Sequence, residues 1–285
     1  DQYIPMRNSF SPNRPRERGF TLLEIIIVVT VIGLLVGGVL FGREMIRSVE
    51  INRVISDIHE YAAAAATFKE KYQALPGDMA NATSYWGTAS GGCPNGTGTG
   101  TQTCNGNGDG VVFNGTEGPL SADVPEMFRF WQQLAITGLI EGQYSGIVGP
   151  AGIADNVVGV NIPETKQGSC GVGLWYLGIL APPYTSGGLT YNAPYWFDGT
   201  YNHTFIVGAN RPSAHPHNPC FTTQEALALD TKSDDGKPGT GSVVSLKGSN
   251  GFASEYCATT NNPLTAVYDQ SRSGFQCNII FRNVF

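Results

Sequence analysis

One uninterrupted apolar run, FTLLEIIIVVTVIGLLVGGVLFG at positions 20–42, constrains this chain more than any other feature. It holds 23 residues and a single charge, Glu24. As a helix it would be about 34 Å long, enough to cross a hydrocarbon core of about 30 Å. A signal anchor would be as apolar, whereas a cleaved secretory signal has a shorter apolar stretch that ends in small residues. Neither has a use for Glu24. A charge at the centre of a membrane helix costs about 2.5–3.5 kcal/mol on insertion scales. The cost falls near the interface, yet an intramembrane carboxylate is by default a functional group with a partner. The partner expected here is a new α-amino group, created if the chain is cut between Gly19 and Phe20. Glu24 would lie four residues from that amine and could meet the amine of a neighbouring copy. Opposite charges 4 Å apart at an effective dielectric near 20 attract by about 4 kcal/mol, which offsets the burial cost only when the two are docked.

The string Arg18-Gly19-Phe20-Thr21-Leu22-Leu23-Glu24, followed by the apolar run, resembles the cleavage and methylation motif of type IV prepilins and type II secretion pseudopilins. The resemblance implies that a prepilin peptidase cuts after Gly19 on the cytoplasmic side and N-methylates Phe20. It implies that the peptidase requires Gly19, and that Glu24 directs docking into a growing filament. The partners it implies are the peptidase, other pilin or pseudopilin subunits, an inner-membrane assembly platform and, before assembly, membrane lipid. The implied location is the bacterial inner membrane, as a single pass with its head in the periplasm, and then a periplasmic pseudopilus or a cell-surface pilus. Major pilins often carry a proline near the middle of this helix. The corresponding place here is Phe41, which points towards a minor subunit, one at the filament tip whose head would bind a secreted substrate, DNA or a surface ligand. Gly33 and Gly37, and Gly38 and Gly42, have the small-xxx-small spacing that permits close helix approach in a filament core.

The domain reading follows. Positions 1–19 are a cleaved basic leader with Arg7, Arg14, Arg16 and Arg18 against Asp1 and Glu17; Met6 is the only methionine ahead of the apolar run, so translation is expected to start there. Positions 20–42 form the transmembrane and filament-core helix, 43–75 an amphipathic stalk helix, and 76–285 a globular head. In the stalk Ile51, Ile55, Ile58, Ala62, Ala65, Phe68, Tyr72 and Leu75 recur at steps of three and four. Pro76-Gly77-Asp78 should stop the helix. A continuous helix over 20–74 would be about 80 Å long. Charged heptad flanks are missing, which disfavours a coiled coil. With Gly 37, Pro 17 and only 14% charged residues, the head reads as loop-rich α+β. A second helix is expected from a capping arrangement at Asp123, Pro125 and Glu126, with a stripe of Phe130, Trp131, Leu134 and Leu139 ended near Gly142. Strands are expected at 172–180, 204–207, 242–246 and 275–281, and a short helix around 224–229. The expected class is α+β and, by resemblance, pilin-like: a long helix packed on an antiparallel sheet.

Charge and cysteines narrow the function. The net charge is −6, and without the leader 13 basic and 21 acidic residues remain, a net of −8. Such a body lacks the footprint of a nucleic-acid binder. Cys93, Cys104, Cys170, Cys220, Cys257 and Cys277 have no CxxC spacing and read as disulfides of an exported protein. Six cysteines allow fifteen connectivities; the short Gly/Thr tract favours Cys93–Cys104, and a Cys257–Cys277 staple would leave Cys170–Cys220.

No nucleophile elbow, phosphate-binding glycine loop or metalloprotease helix appears, so no enzyme activity is expected. No cofactor is required, and calcium is the one candidate ion. Asn105, Asn107, Asp109 and Gly110 begin like an EF-hand loop, but the twelfth position is Thr116 and Glu117 comes one residue late. Some pseudopilins bind calcium in a head loop, yet a Gly/Asn turn is the favoured reading. Asp230, Asp234 and Asp235, beside Gly236-Lys237-Pro238-Gly239, form a second acidic cluster with the same two readings. His215-Pro216-His217 has no marked third ligand. Trp175, Tyr176, Tyr184, Tyr191, Tyr195 and Trp196 read as core before ligand surface.

Overall fold

The computed structural model describes residues 19–96, 101–112, 126–152, 154–165, 170–180, 184–186, 189–191, 196–246, 257–260 and 262–285. The chain forms two compact units that divide between Ile46 and Arg47. Helix α1 (Leu22–Tyr72) contributes to both. In the first unit every large apolar side chain described from Phe20 to Ile46 is exposed. This stretch is long and apolar enough to cross a membrane. A Cβ added at Gly33, Gly37, Gly38 or Gly42 would meet nothing within 4 Å.

In the second unit the continuation of α1 turns amphipathic. Among the described residues it is joined by α2 (Ala82–Trp86), α3 (Glu126–Ile136), α4 (Thr223–Ser233) and the strands β1 (Cys170–Tyr176), β2 (Ile179–Leu180), β3 (Tyr184–Ser186), β4 (Leu189–Tyr191), β5 (Gly199–Thr200), β6 (His203–Ala209), β7 (Val243–Ser245) and β8 (Ile279–Phe281). The main sheet is antiparallel in the order β1-β6-β8-β7, with Val172 opposite Val207, Phe205 opposite Phe281 and Val243 opposite Phe281. Two small pairs, β2 with β5 and β3 with β4, stand apart from it.

Alternation along the strands gives this sheet two buried faces. Val172, Leu174, Phe205, Val207, Ile279, Phe281 and Val243 join α1 and α3 in the larger core. Tyr61 of α1 meets Trp131 of α3 edge-on at 5.2 Å, and Phe205 of β6 at 6.4 Å. Ile206, Ile280 and Val244 point the other way, into a smaller core with Leu177, Trp196, Tyr201 and Leu246. The outer strands are not open edges. Val172 N donates to Pro163 O, Ser245 N to Pro238 O, and Val243 N to Asp234 Oδ2.

The α+β class with one long helix and an antiparallel sheet is the class expected, but several boundaries differ. The buried stripe of α1 is Ile51, Val54, Ile58, Tyr61, Ala65 and Phe68, while Ile55, Ala62 and Tyr72 lie at its margin. Tyr61 displaces Ala62 from the centre because its ring fills the space against Trp131. The helix ends at Tyr72, ahead of the proline, where Gln73 turns to φ +56°. The second helix stops at Ile136, and Gly138 at φ +71° makes the turn assigned to Gly142. The strand expected over 172–180 breaks after Tyr176, where Gly178 takes φ +61°, and resumes as β2 beside β5. The strand expected over 275–281 joins the main sheet only from Ile279, while Cys277 forms an isolated bridge with Phe221. The leader up to position 18, Asp123, Pro125, Thr116, Glu117 and Tyr195 lie outside the described residues.

Candidate functional site

Gly19, Phe20 and Thr21 precede α1 in non-helical backbone, and all three are exposed. Thr21 starts the helix: its Oγ1 accepts from Glu24 N at 3.3 Å, and its carbonyl accepts from Ile25 N at 3.2 Å. Thr21-Leu22-Leu23-Glu24 therefore has the spacing of a capping box. The bond shown is to the Glu24 backbone N–H, so Thr21 caps the first turn that carries the carboxylate. A carboxylate in the first turn also complements the helix dipole. Deeper in the run, the Thr30 hydroxyl donates to Ile26 O and Ile27 O at 3.0 and 2.8 Å, so its polarity is satisfied within the helix.

The loop that begins like an EF-hand is built around Asp78, a residue read from sequence only as part of a helix stop. Asp78 is buried, and its carboxylate accepts from the backbone N–H of Gly108, Asp109 and Gly110 at 2.7, 3.0 and 3.0 Å. Burial raises its pKa, and these bonds act against that rise. The other side-chain oxygens fold the loop as well. Asn105 Oδ1 accepts from Thr83 N, Asn107 Oδ1 from Asp109 N, and Asp109 Oδ1 from Val111 N. The last two are turn-forming bonds of the Asx type, while the first ties the loop to the start of α2. Asn107 N donates to Glu126 Oε1 at 2.9 Å, which ties the loop to α3.

The second acidic cluster does come together. Asp230, Asp234 and Asp235 bring carboxylate oxygens within 4.8 Å of one another. Asp230 closes α4 from inside the fold, and its Oδ1 accepts from Gly236 N at 3.1 Å. Asp234 Oδ2 accepts from Ser242 N and Val243 N, and Asp235 Oδ1 from Lys237 N. Burial pushes the Asp230 carboxyl up to about 7, and the charges of Asp235 and Asp234 push the same way. An all-oxygen donor set that repels itself fits a hard cation such as calcium.

Residues 14–40 match the prokaryotic N-terminal methylation motif. The chain carries the prepilin-type cleavage and methylation motif. No curated protein and no solved structure gives a match. Gly19, Phe20 and Glu24 fall inside the matched segment, and the apolar helix fits anchoring in an inner membrane.

In this prepilin-type chain the disulfides join Cys93 to Cys104, Cys170 to Cys220 and Cys257 to Cys277. His215 stacks on Trp175 at 4.0 Å, and His217 meets Trp196 edge-on at 5.7 Å. Both imidazoles are buried, and burial pushes both well down from the usual histidine range. They stay neutral inside the smaller core, as Trp196 stays buried, while Trp175 and Tyr176 are half-buried. The side chains of Tyr184 and Tyr191 lie outside what is described. His203, not singled out from sequence, accepts from Val112 N at Nε2, 3.0 Å away, and stacks on Phe285 at 4.8 Å.

Proposed function

We propose that this chain is a structural subunit of a type IV pilus or type II secretion pseudopilus, cut by a prepilin peptidase and polymerised through α1. One observation carries the reading. A Gly19–Phe20 bond of the motif and the single carboxylate of the apolar run sit within six residues, at the head of a helix whose described large apolar side chains are exposed from Phe20 to Ile46. Cutting frees the Phe20 amine. Glu24 of an incoming copy pairs with that amine, and the two charges neutralise each other where neither could be buried alone. Lipid tails solvate the apolar helix as well as protein does, so packing and the ion pair, not the hydrophobic effect, favour the assembled state. Extrusion from the membrane is driven by an assembly ATPase outside this chain.

The experiment is Glu24→Ala in the producing cell. Leader cleavage should continue while the chain disappears from sheared filaments. Wild-type levels of the variant in filaments would overturn the reading.

A second reading, a minor tip subunit whose head binds a ligand, is favoured by Phe41 in place of a helix proline and by exposed aromatic surface on the head. Its mark is scarcity: a tip subunit is present at one or a few copies per filament. In either role Asp230, Asp234 and Asp235 are the residues that would hold calcium, whose charge would relieve the repulsion among them.

A further inference from the structure

Arg129 of α3 is fully buried, and among the described residues no carboxylate pairs with its charge. Its guanidinium relies on neutral oxygens instead. Nη1 donates to Gln132 Oε1 at 2.8 Å, and Nη2 donates to Pro94 O at 2.9 Å and to Gly96 O at 2.7 Å. Nε is buried as well and has no hydrogen-bond partner. A buried cation without a counter-charge carries a desolvation cost that three such acceptors offset only in part. Burial accordingly lowers its pKa to about 10. Two of the three acceptors follow directly on Cys93, which is bonded to Cys104. The Cys104 side is anchored independently of that bond. Thr103 N donates to Gly87 O, Ala89 N to Thr103 O, and Gln133 Nε2 of α3 to Cys104 O at 3.2 Å. The disulfide therefore ties the segment that covers Arg129 to a fixed point of the fold.

Access sets this bond apart from the other two. Cys104, Cys170, Cys220, Cys257 and Cys277 are all buried, whereas Cys93 is exposed. Thiol–disulfide exchange requires a thiolate to reach one of the sulfurs, so the exposed bond is the one open to exchange in the folded head. We propose that Cys93–Cys104 is a redox latch over Arg129: a dithiol reductant opens it selectively, residues 93–96 leave α3, and the guanidinium becomes solvated. The exchange breaks the S–S bond and forms two thiols. Its two electrons and two protons come from the dithiol, which leaves as its own disulfide. Opening gains the hydration of Arg129 and the freedom of the segment, and the covalent bond is what withholds both. Oxidation by a disulfide donor reverses the step and covers the cation again. The proposal goes beyond the filament reading and does not depend on it.

The test uses the full chain in detergent, treated with dithiothreitol under native conditions, alkylated, and then exposed to phenylglyoxal, which modifies solvated arginines. Peptide mass mapping reads both the alkylated cysteines and the arginine adducts. Cys93 and Cys104 should be alkylated while Cys170–Cys220 and Cys257–Cys277 stay intact. Adduct formation at Arg129 should then be about tenfold faster or more than in the oxidised chain, whereas Arg53, exposed in either state, should react at one rate throughout. The Cys93→Ser/Cys104→Ser variant should show the fast Arg129 rate with no reductant added. Near-UV circular dichroism, which reports the packing of Tyr61 on Trp131, should be retained in the reduced chain and in the variant. The proposal fails if Arg129 stays as protected after reduction as before it, or if either other disulfide is reduced together with Cys93–Cys104 or ahead of it. It fails equally if Arg129 reacts only when the near-UV signal is lost, since the head would then be unfolding as a whole.

Discussion

The phenol of Tyr268 donates to Oδ2 of Asp230 at 2.7 Å, inside the fold and 38 positions away in the chain. Oδ1 of the same carboxylate accepts from Gly236 N. One buried acid thus joins the last turn of α4, the Asp-Asp-Gly loop, and the C-terminal segment that Cys257–Cys277 closes. The joint has a cost that depends on protonation, and that makes it measurable.

Burial holds the Asp230 carboxyl at about 7, against 3.8 when solvated. Between about pH 4 and 7 the folded chain keeps a proton that the unfolded chain has released. The contribution of this group to stability therefore falls as pH rises through that window and is constant above it. Asp230→Asn keeps an acceptor for Gly236 and an amide for Tyr268 without the charge. In chelator, the variant should match wild type near pH 5 and be the more stable of the two at pH 8, by denaturant midpoint. A difference that does not change with pH would refute the buried acid. Calcium added at pH 8 should stabilise wild type and not the variant.

His203 titrates in the opposite sense. Burial, and next the charge of Lys69, lower its pKa to about 4. Below about pH 6.5 the unfolded chain gains a proton that the folded chain refuses, so stability is present above that value and lost as pH falls towards 4. The full loss is about 3 kcal/mol. His203→Gln loses the stack on Phe285 and should lower the melting temperature at every pH. Its decline between pH 7.5 and 5 should nonetheless be shallower than that of wild type. Equal slopes would mean that the ring takes up a proton in the fold.

What could be read from sequence was whatever depends on local pattern. The apolar run shows in its unbroken length, while the stripe around Ile51, Ile58, Ala65 and Phe68 and the Phe130-Trp131-Leu134 stripe of α3 repeat within a turn or two, so each of these two announces buried residues. What could not be read depends on partners distant in the chain. Asp78 looked like a helix stop because the three N–H groups that need it lie 30 to 32 positions later. His203 gave no signal, since its partner Val112 is 91 positions earlier. Asp230 stood out in a charge cluster, but its tie to Tyr268 did not. The capping spacing of Thr21 and Glu24 was legible and was masked by the stronger argument from an acid in hydrocarbon.

Gly77 separates steric from conformational cost. At φ +85° it donates its N–H to Gln133 Oε1 at 2.7 Å, and a Cβ there would lie 2.3 Å from Glu126 O in the backbone of α3. Gly138 has a similar φ of +71° with nothing within 4 Å of its Cβ position. Gly138→Ala should cost about 1 kcal/mol, for the left-handed backbone alone. Gly77→Ala should cost about 3 kcal/mol or more, because α3 must move or the turn must open. Paired urea titrations would show the gap, and equal losses would contradict the close approach of the 77 turn to α3.

Glu24 has two roles to be separated, one within the helix and one between copies. As the third residue after a Thr21 cap, its side chain can be replaced by glutamine, since Glu and Gln serve a capping box alike. As the counter-charge to a freed amine it cannot be, because the pairing energy is Coulombic and glutamine brings only a dipole. Thr21→Val tests the converse: it removes the hydroxyl that accepts from Glu24 N and leaves the carboxylate. If the charge decides, Glu24→Gln should fail to enter filaments as Glu24→Ala does, while Thr21→Val assembles at reduced yield. If the cap decides, Glu24→Gln should assemble normally and Thr21→Val should be the damaging change. Immunoblots of sheared filaments, normalised to cleaved protein in the membrane, distinguish the two patterns. Only the first is compatible with an ion pair that forms between subunits.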